Sequence, residues 1–332
     1  MLRKSVLPAL LGVAWVCGAA AGYVEAKKAP DHLLGWAYVK APGVKIEKKR
    51  KPTRQPLLTL GRGAVLPVFR IAGKKGARWF QVLGVDLEEQ SPVRGWVAEE
   101  NTELWPVESM PLAEALLVRF GRPFLEDRIA QSTHVARYVW SSEGAGRDLI
   151  AVAASPRLLS PVAKIFKKQG SGWALALPQF PSPNFSDDGG IGLQFLEVRD
   201  LAGDGRECVI TQEPFRRIPG IEGVRLVVRR LGNGGLRSVW EVPRKVSNRG
   251  SYPAEVQIKR PLALNIGAPG TAVNGEITFV EIPQGGMLLE WEGEIEFYLV
   301  GREAPVETVR LKKVFRWDGE SFTETEKREA SP

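Results

Sequence analysis

One acidic loop contains the residue types from which a cation site is built. The segment RDLAGDGRECVIT places acidic residues around a glycine-rich turn that leads into an apolar run. A calcium loop of this style uses oxygen ligands at alternate positions and a final carboxylate. Asp200 and Asp204 fill the first and fifth positions, but Ala202 holds the third, Cys208 the ninth, and Glu207 is one step out of register. The spacing predicts a turn entering a β-strand, with a weak calcium site at Asp200 and Asp204 as the alternative.

A second acidic pattern lies in the segment LLEWEGEIEF, where glutamates occupy alternate positions at Glu290, Glu292, Glu294 and Glu296. Alternate residues of a strand share one face, so these side chains are expected to form an acidic row. Like charges in a row raise a pKa, as carboxylate-based hydrolysis requires. The other interpretation, which we favour, is the solvent side of an amphipathic strand.

The remaining reactive residues are few. His32 and His134 are the only histidines, which excludes a three-histidine zinc site, and a cysteine–histidine pair in the mature chain would need Cys208. The alternation in STHVARYVW predicts that His134 is a half-exposed strand residue. The motifs G-x-S-x-G, H-E-x-x-H and G-x-x-x-x-G-K-[ST] do not occur. We therefore assign no catalytic residue and favour a noncatalytic protein.

The first residues have the pattern of an export signal. A basic start, MLRK, precedes the apolar stretch SVLPALLGVAWVCGAAAG, which predicts a signal peptide at 1–26 with cleavage after Ala21 or Ala26. An uncleaved anchor is the alternative, because about 18 apolar residues are near the lower limit for spanning a bilayer. Cleavage predicts a periplasmic or secreted protein with no stable membrane span. It also removes Cys17, which leaves Cys208 without a disulfide partner and predicts a buried, inert thiol.

The bulk composition indicates a globular, β-rich chain. A length of 332 residues with 44% hydrophobic and 25% charged residues allows two domains. Thirty-five glycines and 24 prolines favour many turns, which suits a β-rich fold better than a helical bundle. The net charge of +8 permits contact with acidic polymers without requiring it. Because export is predicted, nucleic acid is not an expected partner.

Short strands broken by turns predict a small β-barrel at 35–106, after a linker at 27–34. The pieces APGVKIEKKRKP, LLTLGRGAVLPV, RWFQV and GWV follow one another in the order and spacing of the bacterial SH3-like (SH3b) domain family, which this region resembles. The glycine that the family usually has before the proline is missing in VKIEKKRKP. The resemblance implies a noncatalytic binder of cell-wall peptides or an adaptor within envelope proteins.

Aromatic and basic residues of this region are candidates for ligand binding. Aromatic side chains mostly fill the core of so small a domain, and a basic run is usually a solvated loop. If a groove exists, its aromatic lining is expected at its two ends, and the basic run between them would attract carboxylates or phosphates. The candidate residues are Trp36, Tyr38, Trp96, Lys48, Lys49 and Arg50.

The second half of the chain predicts repeated sheet units. A linker or short helix at 107–125 precedes a β-repeat module at 126–325 and a disordered tail at 326–332. Three stretches, beginning GRDLIAVAAS, GRECVITQEP and GGMLLEWEG, each pair a glycine-led strand with a later hairpin. The segments DLAGDGREC and VFRWDGESF resemble FG-GAP and VCBS-type repeats. Three units are too few for a closed propeller, so an incomplete propeller or an open curved sheet is expected.

Three functions are compatible with these patterns. The first is an exported binding or scaffold protein of the bacterial envelope that contacts a cell-wall peptide or an envelope protein, with no cofactor required apart from the calcium alternative. The second is a cell-wall or polysaccharide hydrolase targeted by an SH3-like domain. The third is a structural subunit of an envelope complex that associates through exposed strand edges.

Overall fold

A computed structural model describes residues 32–120, 127–142, 147–158, 160–170, 172–177, 193–214, 222–232, 235–247, 270–283, 285–298 and 303–329. The predicted signal peptide at 1–26, with Cys17, lies outside the described residues. The described residues from Leu33 onward belong to one compact unit. Among the described residues, no helix has both the length and the apolar character needed to cross a bilayer.

Seven short strands form the first part of the fold. Their bounds are β1 Gly35–Val39, β2 Val44–Ile46, β3 Leu58–Leu60, β4 Ala64–Ala72, β5 Trp79–Asp86, β6 Ser91–Ala98 and β7 Thr102–Trp105. Short 3-10 turns lie on either side of β7, at Glu99–Asn101 and Val107–Ser109. In β5 the side chains of Phe80 and Val82 are buried while Gln81 is half-buried, which is the alternation expected of a strand with one covered face.

A short helical segment leads into four further strands. Helix α1 spans Ala113–Phe120, α2 spans Asp127–Ala130, and the strands are β8 His134–Trp140, β9 Asp148–Ala154, β10 Val162–Gln169 and β11 Gly172–Leu177. Helix α1 buries Leu116 and Phe120, which lie four positions apart on one face. The Nζ atom of Lys164 donates to the carbonyls of Arg119 and Phe120 at 3.1 Å each, and so satisfies the C-terminal end of the helix.

Strand β4 joins these two sets of strands into one antiparallel sheet. The sheet has the order β11-β10-β9-β8-β4-β1-β7, with β5 paired to β4 and β6 paired to β5. The first residues of β4 pair with β8, as in Ala64 with Tyr138, and its later residues pair with β5, as in Ile71 with Phe80. A register shift between Val68 and Arg70 lies within the pairing with β5, beyond the residues that pair with β8. A β-bulge of this kind bends a strand, which lets one strand serve two neighbours.

The remaining strands form a second antiparallel sheet. They are β12 Phe195–Arg199, β13 Cys208–Pro214, β14 Glu222–Gly232, β15 Gly235–Ser247, β16 Thr271–Glu281, β17 Met287–Phe297, β18 Glu307–Trp317 and β19 Phe322–Glu329, paired in chain order. The sheet curves, since Trp240 of β15 packs edge-on against Phe315 of β18 at 5.2 Å between ring centroids. The backbone N–H of Met287 donates to the carbonyl of Leu201 at 2.8 Å, which ties the start of β17 to the segment that follows β12.

Three buried clusters hold the layers together. One lies between α1 and the nine-stranded sheet and includes Trp36 and Phe166. The second lies between the two sheets, where Val198 of β12 packs with residues of β4 and β8. The third fills the concave side of the eight-stranded sheet around Trp291 and Cys208. The arrangement is therefore a helix, a sheet and a curved second sheet in layers.

The prediction of a mainly β chain with an open antiparallel module is confirmed. The sheets are not closed into a barrel, and the strands predicted for a small barrel at 35–106 continue through β4 into the nine-stranded sheet. The three repeated stretches form the strand sets β9–β11, β13–β15 and β17–β19, but the second and third belong to one sheet rather than to separate blades. Strand β19 extends to Glu329, inside the predicted tail.

Candidate functional site

Hydrogen bonds from the protein itself occupy the carboxylates of the acidic loop, residues 200–207. The backbone N–H groups of Gly203 and Gly205 donate to the two oxygens of Asp200 at 2.7 and 2.8 Å. The carboxylate of Asp204 accepts from the backbone N–H of Arg206 at 3.1 Å and forms an ion pair with the buried Arg230. Both side chains that could bind calcium therefore hold the loop instead.

The same loop joins the two sheets. The carboxylate of Glu207 accepts from the backbone N–H of Ser141, at the end of β8, at 2.7 Å and lies 3.3 Å from a guanidinium nitrogen of Arg62. On its other side the loop packs on the β16–β17 turn, where a Cβ on Gly203 would lie 2.3 Å from the backbone nitrogen of Gly286. The acidic loop is thus a junction between elements.

The pKa values of the loop carboxyls agree with this role. Burial raises the pKa of Asp204, but the hydrogen bond and charge of Arg230 outweigh it and leave the pKa below its usual range. Burial raises the pKa of Glu207 above its usual range, although Ser141 and Arg62 oppose the shift. The described residues hold no group of three or more histidine, cysteine, aspartate or glutamate side chains placed to bind one metal ion. Both carboxylates already accept hydrogen bonds within the protein, and the weak calcium site at Asp200 and Asp204 stays a prediction.

The acidic row lies on β17 and is matched by bases on β18. The Nζ atom of Lys312 lies 2.8 Å from Glu290, and Arg310 donates from Nε to Glu294 at 2.7 Å. Glu296 accepts from the hydroxyl of Tyr298 at 2.6 Å. Glu292 is exposed and lies opposite Lys312 in the strand register. The row therefore belongs to a surface of cross-strand ion pairs, which is the solvent-side interpretation of the pattern.

The remaining reactive residues do not meet one another. Cys208 is fully buried in the core of the eight-stranded sheet, and burial raises the pKa of its thiol to about 12. A thiol in this environment is inert. His134 begins β8 and is half-buried, and burial lowers its pKa. The structure therefore offers no cysteine–histidine pair among these residues.

The candidate aromatics at 36 and 38 are engaged in packing. Trp36 is 1% exposed, and its indole Nε1 donates to the carbonyl of Val107 at 2.8 Å. It fills the core under Arg137, whose guanidinium lies 4.8 Å from the ring centroid, and does not line a surface groove. Tyr38 stacks on Trp105 with 4.5 Å between ring centroids. Neither side chain presents a free aromatic face.

Trp96 and the basic residues at 48–50 lie together at the protein surface. Lys48, Lys49 and Arg50 are exposed, and the guanidinium of Arg50 lies 5.6 Å from the centroid of the half-buried Trp96 ring. Two backbone hydrogen bonds of 2.8 Å between Glu47 and Trp96 dock the basic loop, residues 47–54, on β6. Trp96 lies three strands from Tyr38 in the order β6-β5-β4-β1. The structure therefore brings Trp96 together with the basic run, but not with Tyr38 or Trp36.

Neighbouring residues extend this surface across three strands. In the register of β5 and β6, Gln81 lies opposite Trp96 and Leu83 lies opposite Arg94. The guanidinium of Arg94 lies 5.2 Å from the ring centroid of Phe69 on β4. The cationic aromatic face is defined by these residues, Phe69, Gln81, Leu83, Arg94 and Trp96, together with Arg50.

Sequence reasoning did not identify Phe69, Gln81 or Arg94. The available signal is the period-two alternation of RWFQVLGV and PVRGWV, which assigns Gln81, Arg94 and Trp96 to the outer positions of their strands. The pattern does not reveal which strands are neighbours.

Comparisons with known proteins give little further information. No protein-family model matches this chain, and no curated protein matches it. Among solved structures, the chain is similar to the crystal structure of a glycosyl hydrolase from Bacteroides ovatus, with 10% identity over 90% of this chain and 81% of that chain. The TM-score of 0.29 does not establish a shared fold.

Proposed function

We propose that this protein is an exported, noncatalytic binding or scaffold protein of the bacterial cell envelope. In this proposal the cationic aromatic face contacts the cell wall or an envelope protein. The observation that carries the proposal is the placement of Arg50 over Trp96 and of Arg94 over Phe69 on one side of β4–β6. The hydrogen-bonded strands beneath keep this face in place.

The chemistry of the face suits an anionic ligand with flat or apolar parts. A guanidinium over a ring is held in a defined orientation, and the edge of the exposed Arg50 guanidinium can donate to a carboxylate or phosphate. Lys48 and Lys49 add exposed positive charge beside it. Individual contacts of this type are weak and screened by salt, so binding would depend on several acting together.

We further propose that the first strands are SH3-like, as their sequence pattern implies. The strands follow the order β6-β5-β4-β1-β7, and the β2–β3 hairpin between β1 and β4 docks on β6 through the bridge between Glu47 and Trp96. The region shares β4 with the rest of the nine-stranded sheet, so the whole chain is the appropriate object for an experiment.

Retention of the purified full chain on peptidoglycan sacculi, measured at rising salt, tests this function. We expect Trp96→Ala to weaken retention about tenfold and Arg50→Gln about threefold, since an aromatic anchor contributes more than one exposed charge. Lys74→Gln, which removes an exposed cation elsewhere, is the matched control. Absence of retention at low salt, or equal retention by Trp96→Ala and the unaltered chain, would count against the proposal.

The hydrolase and the envelope-complex subunit remain predictions beside this one. The ion pairs of Glu290 and Glu294 with β18 do not favour the hydrolase. Zymography on cell-wall substrate compares the unaltered chain with Glu292→Ala. A clearing zone that is present for the unaltered chain and lost in the variant would favour the hydrolase. Size-exclusion chromatography of the native protein extracted from cells would favour the complex if the protein eluted with a large assembly.

A further inference from the structure

An open groove of about 580 Å³ lies at the β11 end of the nine-stranded sheet. It runs between the last turn of α1, the edge strand β11 and its neighbour β10. Its size is in the range of sites that hold small ligands. In the strand order it is remote from the cationic aromatic face. The described residues that line it are Arg119, Gln169, Gly172, Trp173, Ala174 and Leu175.

Two large apolar side chains line the groove. Trp173 is half-buried against the core beneath α1, and Leu175 beside it is 41% exposed. At Gly172 an added Cβ would meet only the carbonyl oxygen of Gln169, at 3.8 Å, so the groove is unobstructed there. An indole with one face supported by the core can accept a flat ring on its other side at little entropic cost.

The charge of the groove is positive. Arg119 is exposed at its edge, and the Nζ atom of Lys168 lies 6.0 Å from the centroid of the Trp173 ring. Lys164 binds the carbonyls at the end of α1, which offsets the negative end of the helix dipole. No acidic side chain is among the described residues that line the groove. Charge complementarity therefore selects an anionic ligand.

We propose that this groove binds a carboxylate-bearing saccharide. The sugar ring would displace the flexible side chain of Lys168 and lie on the indole of Trp173, the carboxylate would pair with the guanidinium of Arg119, and hydroxyl groups would bond to the carboxamide of Gln169. A guanidinium matches a carboxylate in two parallel hydrogen bonds, and a carboxamide both donates and accepts. The groove uses no residue of the cationic aromatic face, so this site goes beyond the function proposed above.

A peptide strand added to the edge of β11 is the competing occupant. The pairing of β10 with β11 shifts register between Ile165 and Phe166. Bulges twist an edge strand away from further pairing. The side-chain chemistry of the groove, rather than its backbone edge, is therefore the binding feature.

Calorimetric titration of the full chain with oligogalacturonate tests the site. We expect binding that Trp173→Ala weakens about tenfold, that Trp173→Phe largely retains, and that Arg119→Gln weakens about threefold. Lys74→Gln, the matched loss of one exposed cation, is expected to bind as the unaltered chain does. Maltohexaose, a neutral oligosaccharide, is expected to give no measurable heat.

Several outcomes would overturn the proposal. They are absence of oligogalacturonate binding by the unaltered chain, unchanged binding by Trp173→Ala, and equal binding of maltohexaose. Binding of poly-glutamate in place of oligogalacturonate would indicate a peptide occupant. Trp96→Ala is expected to leave oligogalacturonate binding unchanged while it weakens retention on sacculi. The proposals for the two sites can therefore be contradicted independently of each other.

Discussion

The acidic loop at 200–207 and the basic loop that follows β2 make opposite use of their charges. In the acidic loop, Asp200 binds backbone N–H groups, Asp204 pairs with Arg230, and Glu207 reaches β8, so its carboxylates hold the structure. In the basic loop only Glu47 turns inward, where it accepts from the hydroxyl of Thr53, while its lysines remain exposed. A charged loop is therefore a stronger binding candidate when its own fold does not use its charges.

The largest expected effect is a loss in the free energy of unfolding of the protein when glycines of the acidic loop are replaced. Gly203 and Gly205 both have positive φ, +76° and +80°, but only a Cβ on Gly203 would collide with Gly286, at 2.3 Å. We expect Gly205→Ala to cost about 1 kcal/mol for the left-handed backbone. Gly203→Ala is expected to cost about 3 kcal/mol, because overpacking adds to that term. Urea unfolding measures both, and equal losses would show that the junction with the β16–β17 turn is not tightly packed.

A smaller effect is expected from Asp204→Asn. Because the pKa of Asp204 is lowered in the folded state, its charge stabilises the protein above the ordinary pKa of about 3.9, and this contribution is lost as the pH falls through and below that value. We expect the variant to lose about 1 kcal/mol at pH 7, given the partial exposure of the pair, and the difference to shrink toward pH 2.

Thermal unfolding across this pH range provides the measurement, with the exposed Glu108→Gln as the control. A difference that is constant with pH would assign the loss to packing instead of charge.

Substitutions in the basic loop are expected to have the opposite effect, because they should weaken binding and leave the stability of the protein almost unchanged. The double variant Lys48→Gln, Lys49→Gln removes exposed charges, so the free energy of unfolding should change by less than about 0.5 kcal/mol. Retention on sacculi should fall and become less sensitive to salt, since fewer ionic contacts remain. Urea unfolding and a salt series measure the two effects. A loss of stability comparable to that of Gly203→Ala would show that the fold also depends on the charges of the basic loop.

The smallest expected effect is that of calcium. Because hydrogen bonds already occupy the oxygens of Asp200 and Arg230 pairs with Asp204, millimolar calcium should leave the Tm unchanged. Calorimetric titration is the direct measurement. Binding tighter than millimolar would show that the acidic loop rearranges to release its carboxylates.

Local patterns in the sequence predict much of the fold because they report short-range geometry. Alternation predicts strand β8 around His134, and helical spacing in LAEALLVRF predicts α1. The same patterns do not distinguish Trp36 from Trp96. Trp36 is buried because β1 lies between β4 and β7 beneath the segment that contains Val107, whereas Trp96 lies on the outer face of β6. Which face is covered depends on long-range pairing.

The shared strand β4 also has a consequence for folding order. The ladder between Ala64 and Tyr138 closes only after a long stretch of chain has been placed, and such non-local contacts form slowly. Until β8 docks, the first residues of β4 present an open edge that can pair with another copy of the protein. A fragment cut after β7 would keep that edge permanently and is expected to aggregate, although each of its own strands would be intact.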